Sequence, residues 1–389
     1  MTPIADRVFK ALTSSSAFFR FIKDSPYARL SKDPQVANFV FGNPQEIAMP
    51  EFVSALKNWS TPQNKDWFAY KDNLETAQAA VASSLKKRLG LDFLPTDIAM
   101  TNGAFAALSA SVSALVNPGE EVMYISPPWF FYESLITTWG AVPVKVKINM
   151  QNYELDLDAL AKAITPRTRA IIINSPHNPT GKIYSSESLQ KLSNILKDAS
   201  KKYSQPIYLI SDESYCHIVF DQRSCPSPTQ FYDHSLLVYT YGKTLLTPSQ
   251  RLGYVALPPT MPERELVYMA LNISILNSGY TYPNALMQYA LPDLEKLCVN
   301  INKLQDRRDS IIKNLRAMGY ETSVPEGTFY ILVRSPISDD FVFCERLASH
   351  NILCLPGEAL QLPGYFRISI TASDSMVEQA LPGFRAALG

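Results

Sequence analysis

The chain has no excess of charge of either sign: Lys+Arg 36 balances Asp+Glu 36 over 389 residues. That argues against the basic surface that nucleic acid demands. It also lacks any apolar run of about 18 residues, so no membrane span is expected. The first residues, Met1-Thr2-Pro3-Ile4-Ala5-Asp6-Arg7, lack the charged-then-apolar pattern of a secretory signal. A soluble cytoplasmic protein is the expectation. Cysteine is sparse: Cys216, Cys225, Cys298, Cys344 and Cys354 are odd in number and scattered, with no C-x-x-C pair. Neither a disulfide framework nor a zinc site is expected from that pattern. Cys216 and His217 are neighbours, but adjacent residues of a strand point to opposite faces, so no metal site is expected there.

What the chain does have is apolar material. At 46% hydrophobic and 19% charged it can bury a sizeable core. Its length exceeds one ordinary core, which points to one large and one small domain. Pro34, Pro44 and Pro50 break any long element in residues 1–50. From about Pro50 a helix is expected, with Phe52, Leu56 and Trp59 on one stripe, and a second over 73–89. Strands and helices then alternate. Helical patterns cover Ala104–Val116, Trp129–Trp139, Leu157–Ile164 and Ser186–Tyr203, the last capped by Ser185. Strand patterns cover Glu121–Ser126, Val142–Ile148, Ala170–Asn174, Ile207–Ser211 and Leu236–Tyr241. This alternation predicts an α/β fold, a mostly parallel sheet covered by helices on both faces. Ligands of such sheets bind at the carboxyl ends of the strands. After Pro283 the pattern changes to α+β. A helical stretch over Ala285–Met318 breaks near Pro292, and a helix over Asp339–His350 lies between strands Tyr330–Val333 and Phe366–Ile370. A last helix covers Ser375–Leu388. The expected division is a large domain over 51–284 and a small one built from 1–50 and 285–389.

The candidate chemistry sits where those strands end. Lys243 lies in Tyr241-Gly242-Lys243-Thr244, with Arg251 eight positions later. A lysine amine condenses with an aldehyde when neutral, and a guanidinium grips a phosphate in bidentate fashion. Thr240, at a strand end, can donate a hydroxyl to the same phosphate. Gly103, Ala104 and Phe105 open an apolar helix whose first N–H groups can point at that anion. Asp212 ends a strand, where its carboxylate can pair with a protonated ring nitrogen and keep the ring cationic. Tyr215 and Asn178, the latter in Asn178-Pro179-Thr180-Gly181, can donate to a ring oxygen. Trp129, with Phe130 as rival, can stack on a ring face. Arg367 is a charge inside an apolar strand, which is costly unless paired, and a substrate α-carboxylate is a suitable partner. Each feature alone has a bland reading: a surface lysine, a helix cap, a turn, an aromatic core cluster, a structural ion pair.

Taken in this order and spacing, Asn178, Asp212/Tyr215, Lys243/Arg251 and Arg367 resemble the site of the class I/II pyridoxal-phosphate-dependent aminotransferases, fold type I. The resemblance runs from Gly42-Asn43-Pro44 to the Arg367 strand. It implies a three-layer α/β/α domain that binds pyridoxal 5'-phosphate and a homodimer with shared sites. Lys243 would be the Schiff-base lysine and the general base, aided by Asp212 and Tyr215. Tyr70 would reach the neighbouring subunit's phosphate, and Gly42 would lie on the substrate side with Asn178 and Arg367. The implied reaction moves an amino group from an L-amino acid to a 2-oxo acid. A carbon–sulfur β-lyase or a cyclopropane-carboxylate-synthase-like lyase on the same scaffold uses the same anchors, and a non-catalytic regulator that binds the cofactor is the reading from another class. Three positions depart from the family pattern. Gly242 replaces a small hydroxyl residue before the lysine, no glycine stands near Leu74, and Phe105 offers no cation for a distal carboxylate.

Overall fold

The structure, a computed structural model, describes residues 3–389. Continuous apolar runs such as Ile171-Ile172-Ile173 form strands buried on both faces, as expected for inner strands of a parallel sheet. Seven strands make that sheet, in the spatial order Ile98–Thr101, Gly253–Ala256, Ser235–Thr240, Tyr208–Asp212, Thr168–Asn174, Glu121–Ser126 and Val142–Lys147. Only Gly253–Ala256 runs against its neighbours. Side chains of alternate parity face opposite layers. Val122 and Tyr124 pack with Leu108, Val112 and Leu135 on one side, while Met123 and Ile125 pack with Leu189, Leu192 and Leu196 on the other. The edge strand Val142–Lys147 is partly exposed and carries Pro143, Lys145 and Lys147; proline and lysine discourage pairing with another sheet edge.

The strand order reverses once. From Glu121–Ser126 the chain moves outward to Val142–Lys147, then returns to the opposite neighbour, Thr168–Asn174. A crevice opens at the carboxyl ends beside such a switch. The strands ending at Thr101, Ser126, Asn174, Asp212 and Thr240 all deliver their following turns to it.

A second, smaller body of structure combines both chain ends. Strands Leu355–Pro356, Tyr365–Ser369 and Tyr330–Arg334 form an antiparallel sheet. Residues Ala37–Asn38 pair in parallel with Ile352–Leu353. Phe343, Phe366, Leu315, Leu347 and Phe384 build its core with Phe39.

Several elements differ from expectation. The helix after Ser126 starts at Tyr132, so Trp129 lies in the preceding turn, because two prolines at 127 and 128 cannot continue a hydrogen-bonded helix. Strand Ser235–Thr240 stops before Tyr241, which opens a four-residue helix. The break in 285–318 falls at 295–300, with Pro292 inside the first helix and Asn300 capping the second. Cys216 and His217 lie in a turn after Asp212, where the opposite-face argument does not apply. Strand Ile98–Thr101 and helix Arg264–Asn277 carry little strand or boundary signal and escape the pattern reading. Ser185 caps its helix, accepting from the Ser188 N–H at 3.1 Å.

Phe343 is fully buried in the small core. Phe343→Ala should destabilise that part of the protein by about 3–5 kcal/mol through lost burial and a cavity. Denaturant unfolding should show a lower midpoint, and an unchanged midpoint would contradict this packing.

Candidate active site

The crevice contains a cavity of about 330 Å³. Gly42, Ala104, Phe105, Trp129, Asn178, Asp212, Tyr215, Thr240, Lys243, Arg251 and Arg367 all line it. These positions are up to 325 residues apart in sequence (367 − 42), so the fold alone brings them together.

At one end stands Asp212, buried at the end of its strand. Its carboxylate accepts from the Tyr132 hydroxyl at 2.6 Å, the Ser214 hydroxyl at 2.5 Å and the Ser214 N–H at 3.1 Å. Burial raises its pKa, and these donors, with the Lys243 charge, only partly oppose that shift. It has no ionic partner among the described side chains at salt-bridge distance, so it is an anion poised for a cationic group. The neighbouring strand end is tied to it: the Asn174 amide donates to the Asp212 carbonyl at 2.8 Å, and the Asn178 N–H donates to Asn174 Oδ1 at 2.7 Å.

Lys243 lies on the short helix Tyr241–Thr244, half-buried, with Nζ 5.7 Å from the Tyr215 ring centroid. Thr240 caps that helix weakly, its hydroxyl accepting from Gly242 N–H at 3.4 Å and donating to the Leu252 carbonyl at 3.3 Å.

Arg251 is exposed at the cavity mouth, with Nη1 donating to the Pro248 carbonyl at 2.8 Å. Its guanidinium is still desolvated enough to lower its pKa, because it packs over Gly103. A Cβ at Gly103 would lie 2.5 Å from Arg251 Nη2, and the φ of +84° at this helix start also favours glycine. A guanidinium and the first N–H groups of the helix Ala104–Leu115 therefore converge on one spot, a suitable cradle for a phosphate.

At the other end Arg367 is 1% exposed. Nη1 donates to Asn178 Oδ1 at 2.8 Å and Nη2 to the Val40 carbonyl at 2.9 Å. Nε has no partner. Burial lowers its pKa, and only Tyr330 and Tyr215 counter that electrostatically. The structural ion pair is thus excluded at salt-bridge distance among the described residues.

Tyr330 was missed by sequence reasoning. Its ring lies 3.8 Å under the Arg367 guanidinium carbon and its hydroxyl is 3.5 Å from Tyr215 Oη. Burial raises the Tyr330 phenol, but the Arg367 and Lys243 cations and hydrogen bonds outweigh that and lower it. Burial and the Tyr330 neighbour push the Tyr215 phenol well up. A Cβ at Gly42 would lie 2.9 Å from Tyr330 Oη, which explains a glycine there. Tyr330 begins an apolar strand, and no sequence signal separates it from a core tyrosine. Tyr132, Asn174 and Ser214 were likewise missed, since each acts on Asp212 or Asn178 through the fold. Two expected residues do not line the cavity: Gly103, which lies under the Arg251 guanidinium, and Tyr70, which is 86% exposed with its ring 4.9 Å from that of Tyr282.

Comparison with known proteins places the chain in a family. The family model for aminotransferase class I and II matches residues 37–384. An aspartate/prephenate aminotransferase of Thermus thermophilus is 28% identical over 351 residues, covering 87% of this chain and 88% of the relative. A probable aspartate aminotransferase of Methanocaldococcus jannaschii is 29% identical over 353 residues, covering 88% and 91%. The crystal structure of an amino transferase from Eubacterium rectale superposes with a TM-score of 0.88 at 29% identity, covering 100% of this chain and 98% of that one. The chain belongs to the class I and II aminotransferases.

Proposed function

We propose that Lys243, Asp212, Tyr215, Asn178, Arg251 and Arg367 carry out the transfer of an amino group from an L-amino acid to a 2-oxo acid in a site that holds pyridoxal 5'-phosphate. The observation that carries this reading is the pair of buried, ionically unpartnered charges, Asp212 and Arg367, on either side of Lys243. The residues present fit the cofactor. Gly103, Ala104, Phe105, Thr240 and Arg251 would hold its phosphate, Asp212 its ring nitrogen, Tyr215 and Asn178 its ring oxygen, and Trp129 its ring face. When bound, it supplies an aldehyde for amines and a cationic ring that takes up the electron pair left by a departing α-proton.

The protein's own groups do the rest. Arg367, which lines the cavity and whose Nε has no other partner, binds the substrate α-carboxylate. That fixed contact orients the Cα–H bond toward Lys243. Nζ of Lys243 takes the α-proton as general base. Tyr330 holds the guanidinium from beneath, and Gly42 leaves room for the substrate beside it. Aromatic rings over the cavity keep water from the reacting carbon.

The division into a large domain over 51–284 and a small one from 1–50 with 285–389 is part of this reading. The pairing of Ala37–Asn38 with Ile352–Leu353 supports it. So is a homodimer with shared sites. The helix Arg264–Asn277 buries Val267, Leu271 and Ile275 but exposes Leu266, Met269, Ile273 and Leu276 along a second stripe. Exposed Phe68 and Tyr70 add to the apolar surface. Such patches mark interaction surfaces, and a second copy would cover them and bring Tyr70 to the partner's phosphate. The cytoplasm is the proposed location, on the five unpaired cysteines. No helix among the described residues is long and apolar enough to cross a membrane.

Lys243→Ala should lose the borohydride-stable pyridoxyl adduct on its peptide and slow amino transfer by at least about 10²–10⁴-fold; a variant that kept both would show that another residue does this work. The double variant Met269→Glu, Ile273→Glu should sediment as a monomer and retain less cofactor. Dimeric, fully loaded protein would show that this helix is not the interface.

A further inference from the structure

The positive charges of the cavity are all committed near the reacting carbon. Lys243, Arg251 and Arg367 are the only cationic side chains that line it among the described residues. Arg251 packs over the helix start at Gly103, and Arg367 is fixed by Asn178 and Val40. Nothing basic remains on this chain's own wall, among the described residues, for a second carboxylate on a substrate side chain. Much of the remaining wall is aromatic, Phe41, Phe105, Trp129 and Phe130, with Asn43, Leu108 and Pro248 beside them.

That wall is braced from behind. Phe130 stacks on Phe18 of the helix Ser16–Asp24, with centroids 4.3 Å apart and planes 17° apart. Phe41 meets Phe130 at 6.5 Å and is held edge-on by Tyr27 at 5.8 Å. Phe105 stands edge-on to Trp129 at 4.9 Å. Rings held in this way form a firm apolar slot. Their faces carry partial negative charge, favourable to the edge of another ring and unfavourable to a carboxylate. A side-chain carboxylate placed there would be desolvated with no cation to meet it.

We propose that this chain prefers amino donors, and the matching 2-oxo acids, with bulky aromatic side chains over dicarboxylic ones, and that Phe41 and Phe130 are the residues that read that side chain. The proposal rests on the transaminase reading and adds a substrate class to it. It separates this chain from relatives whose names record aspartate as a substrate.

The test uses the full-length holoenzyme and four donors: phenylalanine, leucine, alanine and aspartate. Conversion of the cofactor to its amine form is followed by absorbance in the absence of an oxo acid. The expected kcat/KM for phenylalanine exceeds that for aspartate by about 50-fold or more. Phe130→Ala should lower the phenylalanine-to-alanine ratio of kcat/KM about 20-fold, a size typical of apolar pocket discrimination. Phe130→Leu keeps apolar volume and should recover part of that ratio, which separates lost recognition from misfolding. If aspartate is converted as fast as phenylalanine, the transaminase reading stands and this inference fails. An unchanged ratio in Phe130→Ala also overturns it. If no donor converts the cofactor, the transaminase reading itself falls, and the substrate class with it.

Discussion

The site depends on two buried charges that the protein declines to neutralise. Arg367 is surrounded by an amide, a carbonyl and a tyrosine ring, and Asp212 by hydroxyls and an N–H group. Burying a charge without an ionic partner costs several kcal/mol even after relaxation. Neutral donors and acceptors reduce that cost and leave most of the Coulomb field in place. A cationic ring and a substrate carboxylate then complete both pairs, so part of the folding free energy is held back for binding. Structural salt bridges elsewhere show the contrast. Arg308 meets Asp221 through both terminal nitrogens at 2.8 Å, and Arg307 meets Asp374 at 2.7 Å. The chain can satisfy buried arginines, and at position 367 it leaves one open.

The architecture explains how these charges are held apart and still near Lys243. Asp212, Lys243, Trp129 and Asn178 follow the ends of parallel strands, so a stiff sheet fixes them. Arg367 and Tyr330 come from the small antiparallel sheet, and Gly42 follows the strand that pairs with Ile352–Leu353. The cofactor side and the carboxylate side of the site are thus carried by different sheets. Asn178 joins the two, donated to by Arg367 and anchored through Asn174 to the Asp212 strand. A relative movement of the sheets changes the distance between the carboxylate anchor and Lys243.

Much of this was legible in the sequence. Strand runs such as Ala170–Asn174 and the β-to-turn sites at Asp212 and Lys243 carry their own signals, because inner parallel strands are continuously apolar and functional turns follow them. Most of the parts that were not legible are set by neighbours distant in the chain. Tyr330 becomes the floor of Arg367 only when two strands pair. Tyr132 serves Asp212 only once its helix packs beside that strand, and Ser214 only once the turn after Asp212 has closed. Strand Ile98–Thr101 is short and contains Ala99 and Met100, weak strand formers whose place is fixed by pairing with Gly253–Ala256.

The central claim is that Arg367 is an open receptor for a carboxylate. The most direct measurement is the dissociation constant of an unreactive aromatic monocarboxylic acid for the holoenzyme, compared between the natural chain and Arg367→Gln, with cofactor content monitored in the same sample. Removing one partner of a buried charge-assisted contact costs about 2–5 kcal/mol, so affinity should fall by roughly 30- to several-thousand-fold while the cofactor stays bound. Equal affinity in the two proteins would contradict the account.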